Sequence, residues 1–370
     1  MLTDSEAALA EAVLLHGPIT RQSLASRLGL SAGSLTRLAK PFLARGLFVE
    51  VAEAPDGLVG RPSKPLDISR GLPIYAGAKI TGDMVHSVAT DVRANPLRKH
   101  GVVLPDHSPT AVVSAIADAV ADLGVPRIAG LGVSLGGSVS RGVIERAPFL
   151  EWRDVPLQGM LEEALGIRVT LENDLVALAE AERWFGLGKG LPGFVIITIG
   201  AGIGYALVTN NTVVRSHDAG LGLAAHVPVA AMGPRCHDGH IGCAQAMLTG
   251  EFIASATSTA LGRTVDWQEA LTLAHHDPAA RAVMEASGQA LGRLIALATN
   301  LSLQSDVVLA GEGIALFGLV EETVRATILD HRDPLASAVT LKVDDSGFDA
   351  WARGAAVIAI QSSLRRLELR

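Results

Sequence analysis

The stretch TRQSLASRLGLSAGSLTRLAKPFLARGL, Thr20 to Leu47, reads as two helices joined by a glycine turn. Thr20 is placed to cap the first, whose buried face is Leu24, Ala25 and Leu28, and Gly29 makes the turn. Ser31 caps the second, whose apolar positions Leu35, Leu38, Ala39, Phe42 and Leu43 keep helical spacing. Its opposite face offers Ser34, Thr36, Arg37 and Lys40. Short polar side chains near a helix N-terminus reach base edges, and basic ones hold phosphates. Pro41 lacks an N–H and is expected to kink or end the helix. By itself the pattern also fits a small helical bundle with a solvated basic face.

The flanks favour a winged helix. Upstream, Ser5 to Leu15 reads as a helix stopped at His16-Gly17-Pro18. Downstream, Leu47–Val51 alternates like a strand, and a second short strand is expected at Leu66–Ile68. Between them lie Pro55-Asp56-Gly57 and Gly60-Arg61-Pro62, a wing whose Arg61 is suited to a narrow minor groove. Charge agrees. Residues 1–70 carry +1 and the remainder −8, and no acidic residue lies between Ala12 and Val49. A basic patch on an acidic chain is expected where one small domain meets phosphate.

The 370 residues allow two or three domains, with ample apolar content for their cores. No basic region followed by an apolar run opens the chain, so a soluble, cytoplasmic protein is expected. The uncharged stretch Gly190–Val214 is glycine-rich and reads as two strands rather than a membrane span. After Arg70, strands and helices alternate. Strands are expected at Pro73–Ile80, Val85–Thr90, Ile128–Val133, Arg168–Leu171, Phe194–Ile199 and Val307–Leu309, and helices at Pro109–Leu123, Met160–Leu165, up to Phe185 and Gln289–Asn300. Strand–glycine-turn units with crossing helices predict two α/β lobes, here 71–190 and 191–370, behind the 1–70 domain. The two cysteines, Cys236 and Cys243, are close enough to suggest a metal site rather than a disulfide.

The order of GRP, GLGVSLGGSVSRGVIERAPFLEWRDVPL, ENDLVALAEAERWFGLGKG, ITIGAGIGYALV and CHDGHIGCAQA resembles the ROK family of repressors, open reading frames and sugar kinases, in particular its repressor branch with an N-terminal winged helix. The resemblance implies a two-lobed sugar-kinase/actin-like (ribonuclease H-like) body with a sugar-sized cleft, its C-terminal helix returning to the first lobe. It implies effector contacts from Gly136, Gly137, Asn173, Asp174 and His226. Helix capping competes as a reading of Asn173 and Asp174. It also implies a structural zinc site at His226, Cys236 and Cys243. There the family's second cysteine is Asp238, and His240 or His237 offers a better nitrogen donor; the residues also read as an ordinary loop without metal.

The departures bear on chemistry. Family kinases carry Asp before a Gly-Gly-Thr turn; the match is Lys79-Ile80-Thr81-Gly82-Asp83. Ala201 replaces the hydroxyl residue of the second phosphate turn. A sugar-binding Glu has become Leu223, and a second is Gln245, so an ordinary hexose hydroxyl left unpaired there costs about 1–3 kcal/mol. The expectation is a homodimeric or higher-order regulator of double-stranded operator DNA, controlling carbohydrate genes through a sugar or sugar-like effector, without ATP or enzyme activity. The alternatives are a sugar kinase with an appended DNA-binding domain and a DNA-binding scaffold that senses no sugar.

Overall fold

The computed structural model describes residues 2–52 and 64–369. Three helices open the chain: α1 (Asp4–His16), α2 (Arg21–Leu28) and α3 (Ala32–Ala44). Thr3 and Glu6 cap α1 reciprocally, Thr20 caps α2, and Ser31 caps α3 by accepting from the Ser34 N–H. Gly29, at φ +63°, turns α2 into α3. Pro41 neither ends α3 nor stops its last turn. The helix continues to Ala44, with Phe42 buried and stacked on Phe48 at 4.5 Å. Strands β1 (Phe48–Glu50) and β2 (Leu66–Ile68) pair antiparallel, with Phe48 opposite Ile68. The expected wing tip, Arg61 included, lies outside the described residues.

The next segment holds β3 (Ile74–Ile80), β4 (Met84–Thr90), β5 (Pro96–Val103), α4 (Pro109–Ala121), β6 (Ile128–Leu135), β7 (Ser138–Ser140), β8 (Val143–Ala147), β9 (Trp152–Val155), α5 (Leu157–Leu165), β10 (Val169–Asn173) and α6 (Asp174–Phe185). The rest holds β11 (Phe194–Ile199), β12 (Ile203–Thr209), β13 (Thr212–Val213), α7 (Ala244–Leu248), α8 (Gly250–Leu261), α9 (Trp267–Leu273), α10 (Pro278–Ser302), β14 (Asp306–Ala310), α11 (Ala315–Asp330), β15 (Thr340–Val343) and α12 (Phe348–Arg366). Two five-stranded sheets result, ordered β10-β6-β3-β4-β5 and β13-β12-β11-β14-β15. β7–β9 form a small separate sheet.

The first sheet packs one face on α4 and α5, through Val112, Ile116, Leu131, Leu157 and Leu161. The second packs one face on α8, α10 and α11, through Val195, Ile197, Ile253, Leu291, Leu294 and Val324. Between the two sheets lie α6 and the start of α12, where Leu178, Ala179, Ala350 and Trp351 meet Phe194, Ile196 and Val308. Helix α12 is buried from Ala350 to Gln361 because small residues let it approach the first sheet at backbone distance. A Cβ on Gly77 would lie 2.0 Å from the Ala352 carbonyl, and one on Gly132 1.7 Å from that of Ala355.

The end of α12 reaches the N-terminal domain. Leu364, Leu367 and Leu369 pack on the core of Leu9, Val13, Leu24, Leu35 and Phe42, and Arg45 donates to the Glu368 carbonyl at 2.7 Å. Arg93, after β4, donates to the Leu14 carbonyl at 3.0 Å. Among the described residues no helix is long and apolar enough to cross a membrane.

Candidate functional site

Three places in the chain carry functional geometry. The first is the outer face of α3. Because Leu35, Ala39 and Phe42 bury the opposite side, Thr36, Arg37 and Lys40 are exposed and line one open groove with Gly33, Leu43 and Arg21. Among the described residues, Arg37 and Lys40 have no ion-pair partner. Arg21 pairs with Glu50 of β1 and donates to the Lys64 carbonyl at 2.9 Å, so it braces the hairpin. Ser31 and Ser34 are hydrogen-bonded to each other at 3.0 Å at the helix cap, and the Thr36 hydroxyl turns back to the Ala32 carbonyl at 2.9 Å.

The second place is where parallel strands β3, β6 and β10 end together. Their register sets Lys79 opposite Ser134 and Asn173 opposite Leu135, which brings Lys79, Gly136-Gly137 and Asn173-Asp174 to one edge. Gly137 sits at φ +142°, and a Cβ there would meet the Arg146 carbonyl at 2.1 Å, so only glycine fits. Asn173 takes the capping role and also ties α6 to the Gly137 turn. Its Oδ1 accepts from the Val176 N–H, capping α6, and its Nδ2 donates to the Gly137 carbonyl at 2.9 Å. The amide keeps one donor and one acceptor position for another group. Gly220, in a short turn after β13, closes over this point; its missing Cβ would lie 2.4 Å from the Gly137 carbonyl.

Asp174 Oδ1 accepts from the Leu175 N–H at 2.8 Å, and Oδ2 is ion-paired with Lys79, whose ammonium also lies 5.2 Å from the centroid of the Trp351 ring. The cation that stands where family kinases carry aspartate thus lies on the Asp174 carboxylate. In Gly200-Ala201-Gly202-Ile203-Gly204, between β11 and β12, the Ala201 N–H donates to Glu312 Oε1 at 2.6 Å, and a Cβ on Gly200 would collide with the same carboxylate. A protein carboxylate occupies the backbone donor where a phosphate turn presents its N–H groups. Nothing in Gly311-Glu312-Gly313 as a sequence shows that Glu312 folds onto Gly200. Leu223 is 61% exposed and Gln245 half-buried.

The third place is the loop of Cys236 and Cys243. One ligand atom each from His226, Cys236 and Cys243 lie within 4.8 Å of one another. His240 Nδ1 is 3.5 Å from Cys236 Sγ, and its ring centroid is 4.6 Å from that of His226. Asp238 lies 3.4 Å from His226 Nε2, on the nitrogen facing away from Cys236, and His237 turns to Glu251 at 3.3 Å. Burial pushes the Cys236 thiol up, but hydrogen bonding to the His240 ring and to the His240 and Asp238 backbone outweighs it and brings the thiol down to about 6. Two sulfurs and one imidazole at this spacing are donor types that zinc takes, His240 lies against Cys236 beside them, and Asp238 faces the outer nitrogen of His226. His226, expected in both the effector and the metal sets, has its hydrogen-bonding contacts in this cluster.

The fold and these places define a class: a winged helix carried on a two-lobed, actin-like α/β body. The chain belongs to the ROK family, whose model matches residues 75–362. It resembles the repressor branch. The xylose repressor of Bacillus spizizenii is 22% identical over 365 residues, covering 96% of this chain and 94% of the repressor. The glucokinase of Streptomyces coelicolor is 32% identical over 201 residues, 53% of this chain, and the match spans 62% of that enzyme's length. Among solved structures, a ROK family transcriptional regulator, a homolog of the E. coli MLC protein, superposes with a TM-score of 0.81 at 19% identity, covering 97% of this chain and 95% of that one.

Proposed function

We propose that this protein is a DNA-binding transcription regulator of carbohydrate genes, a repressor controlled by a sugar or sugar-like effector, and that it does not transfer phosphate. The observation that carries the reading is the exposed cationic face of α3, whose Arg37 and Lys40 have no ion-pair partner among the described residues, on an N-terminal domain docked to a ROK body. Ser31, Ser34, Thr36, Arg37 and Lys40, with Arg61 of the wing, meet a double-stranded operator. Two copies are needed to read adjacent half-sites, so the working form is a homodimer or a higher oligomer. The effector lies against Gly136, Gly137, Asn173 and Asp174, with His226 behind it. Lys79 and Glu312 support the absence of ATP chemistry: one sets a cation, paired with Asp174, where family kinases carry aspartate, and the other sets a negative charge where phosphates would bind.

The test is fluorescence anisotropy with duplex DNA from the region upstream of the gene. Arg37→Ala is expected to lower affinity about tenfold or more. Equal binding by variant and parent overturns the assignment of α3. An ADP-release assay with D-glucose, D-xylose and N-acetyl-D-glucosamine is expected to show no turnover, and sustained turnover would establish a kinase instead.

We propose a structural zinc ion held by His226, Cys236, His240 and Cys243. Elemental analysis of purified protein is expected to give roughly one zinc per chain, lost in Cys236→Ser. A metal-free parent with unchanged stability removes the site.

A further inference from the structure

Glu180 is 2% exposed, yet its carboxylate ties α6 to α12 and to the loop after β13. Within α6, Arg183 Nη2 donates to Oε2 at 2.7 Å. From α12, Gln361 Nε2 donates to the same oxygen at 2.9 Å. From the loop after β13, Arg215 Nη2 lies 2.8 Å from Oε1. Burial alone would push this carboxyl up, but Arg183, Gln361 and Arg215 reverse that and hold it below the usual range, as a charge.

Each partner leads somewhere. Arg215 also faces Glu172 at 3.5 Å, and Glu172 accepts from the N–H of Asn173 at 3.0 Å. Five residues past Arg215 is Gly220, seated on the Gly137 carbonyl and the Asn173 amide. Gln361 lies one turn before Leu364, which packs in the winged-helix core. Arg183 Nη1 is 3.8 Å from Glu11 of α1 and donates to the Asn211 carbonyl at 3.1 Å.

We infer that Glu180 and Arg215 are the positioning pair that couples the Gly137–Asn173 edge to the winged helix. Displacement of Gly220 from that edge draws Arg215 off Glu180, and the loss is felt by Arg183 and Gln361, hence by α1 and the end of α12. This rests on the proposed effector edge and supplies its route to the DNA-binding domain. A buried charge shared by three segments suits such a role, because removing one partner changes the balance among the rest.

The experiment needs neither DNA nor sugar, so its failure and a failure of operator or effector binding are distinguishable. Amide hydrogen exchange is followed on the full chain for Gly220→Ala, Arg215→Ala and the double variant. A Cβ at 220 forces the loop to move, because it would lie 2.4 Å from a carbonyl oxygen. Gly220→Ala is expected to raise exchange in α1 about fivefold or more, on the scale of known coupling between sites. In the Arg215→Ala background the same substitution is expected to add nothing in α1, while exchange of loop 214–221 still rises. Arg215→Lys, which keeps a cation facing Glu180, is expected to restore part of the response. An equal effect of Gly220→Ala on α1 with and without Arg215 overturns the proposal, as does an unchanged α1 when the loop has opened. Arg215 is 42% exposed in its side chain, so its removal leaves the core intact.

Discussion

Lys79 and Glu312 act alike: each sets a protein charge where a nucleotide-dependent phosphotransfer would need something else. The first was legible from the sequence as a departure, since the family kinases place Asp there. Its ion pair with Asp174 was not, because it depends on strands β3 and β10 ending at one level of the sheet. Glu312 was invisible for a similar reason, as it lies 111 residues from its partner Ala201. The cysteine loop was legible by residue type. That His240, and not His237, lies beside Cys236 depends on the fold of the loop and was not legible. A different buried group gives a prediction at this scale. Burial raises the Glu182 carboxyl to about 7, with Asp344 adding to the effect. The folded chain therefore holds a proton that the unfolded chain releases at ordinary carboxylate pH. This group favours folding most below pH 4.5, and its contribution is lost as pH rises through 7. Urea titrations are expected to show Glu182→Gln reducing the fall in stability between those limits; an unchanged pH profile contradicts the assignment.

Helix α12 explains why two positions of the first sheet are glycine. It crosses β3 and β6 so closely that Gly77 and Gly132 face its carbonyls without room for a methyl group. Gly132→Ala is expected to cost about 3 kcal/mol, since the clash is with backbone that cannot yield. Gly159→Ala, in α5 with open space around it, is expected to stabilise by about 0.5–1 kcal/mol. Denaturant midpoints check both, and similar shifts for the two would refute the packing argument. Elements with strong apolar periodicity were readable, as Phe194–Ile199 and the helix ending at Phe185 show. Others were hidden. β5, PLRKHGVV, is an exposed edge strand carrying Arg98 and Lys99, so it lacks the alternation that betrays a strand. Helix α10 runs 25 residues, from Pro278 to Ser302, where the sequence indicated only its C-terminal half, because Ala-rich turns dilute the apolar stripe.

At the scale of the molecule, α12 and α6 lie between the two sheets, and the end of α12 carries the winged helix on Leu364, Leu367 and Leu369. A ligand that alters how the two sheets close on this pair would act on the helix that holds the N-terminal domain. That is the physical content of a sugar-controlled regulator. It is tested most directly by titrating the full chain onto upstream duplex DNA with and without D-glucose, D-xylose, N-acetyl-D-glucosamine and their phosphates. The account predicts tight binding to the duplex, with at least one of these compounds changing the affinity about fivefold or more, and with Asn173→Ala abolishing that change while leaving DNA binding itself intact. Absence of any DNA binding, or a sugar response that Asn173→Ala leaves untouched, would contradict it.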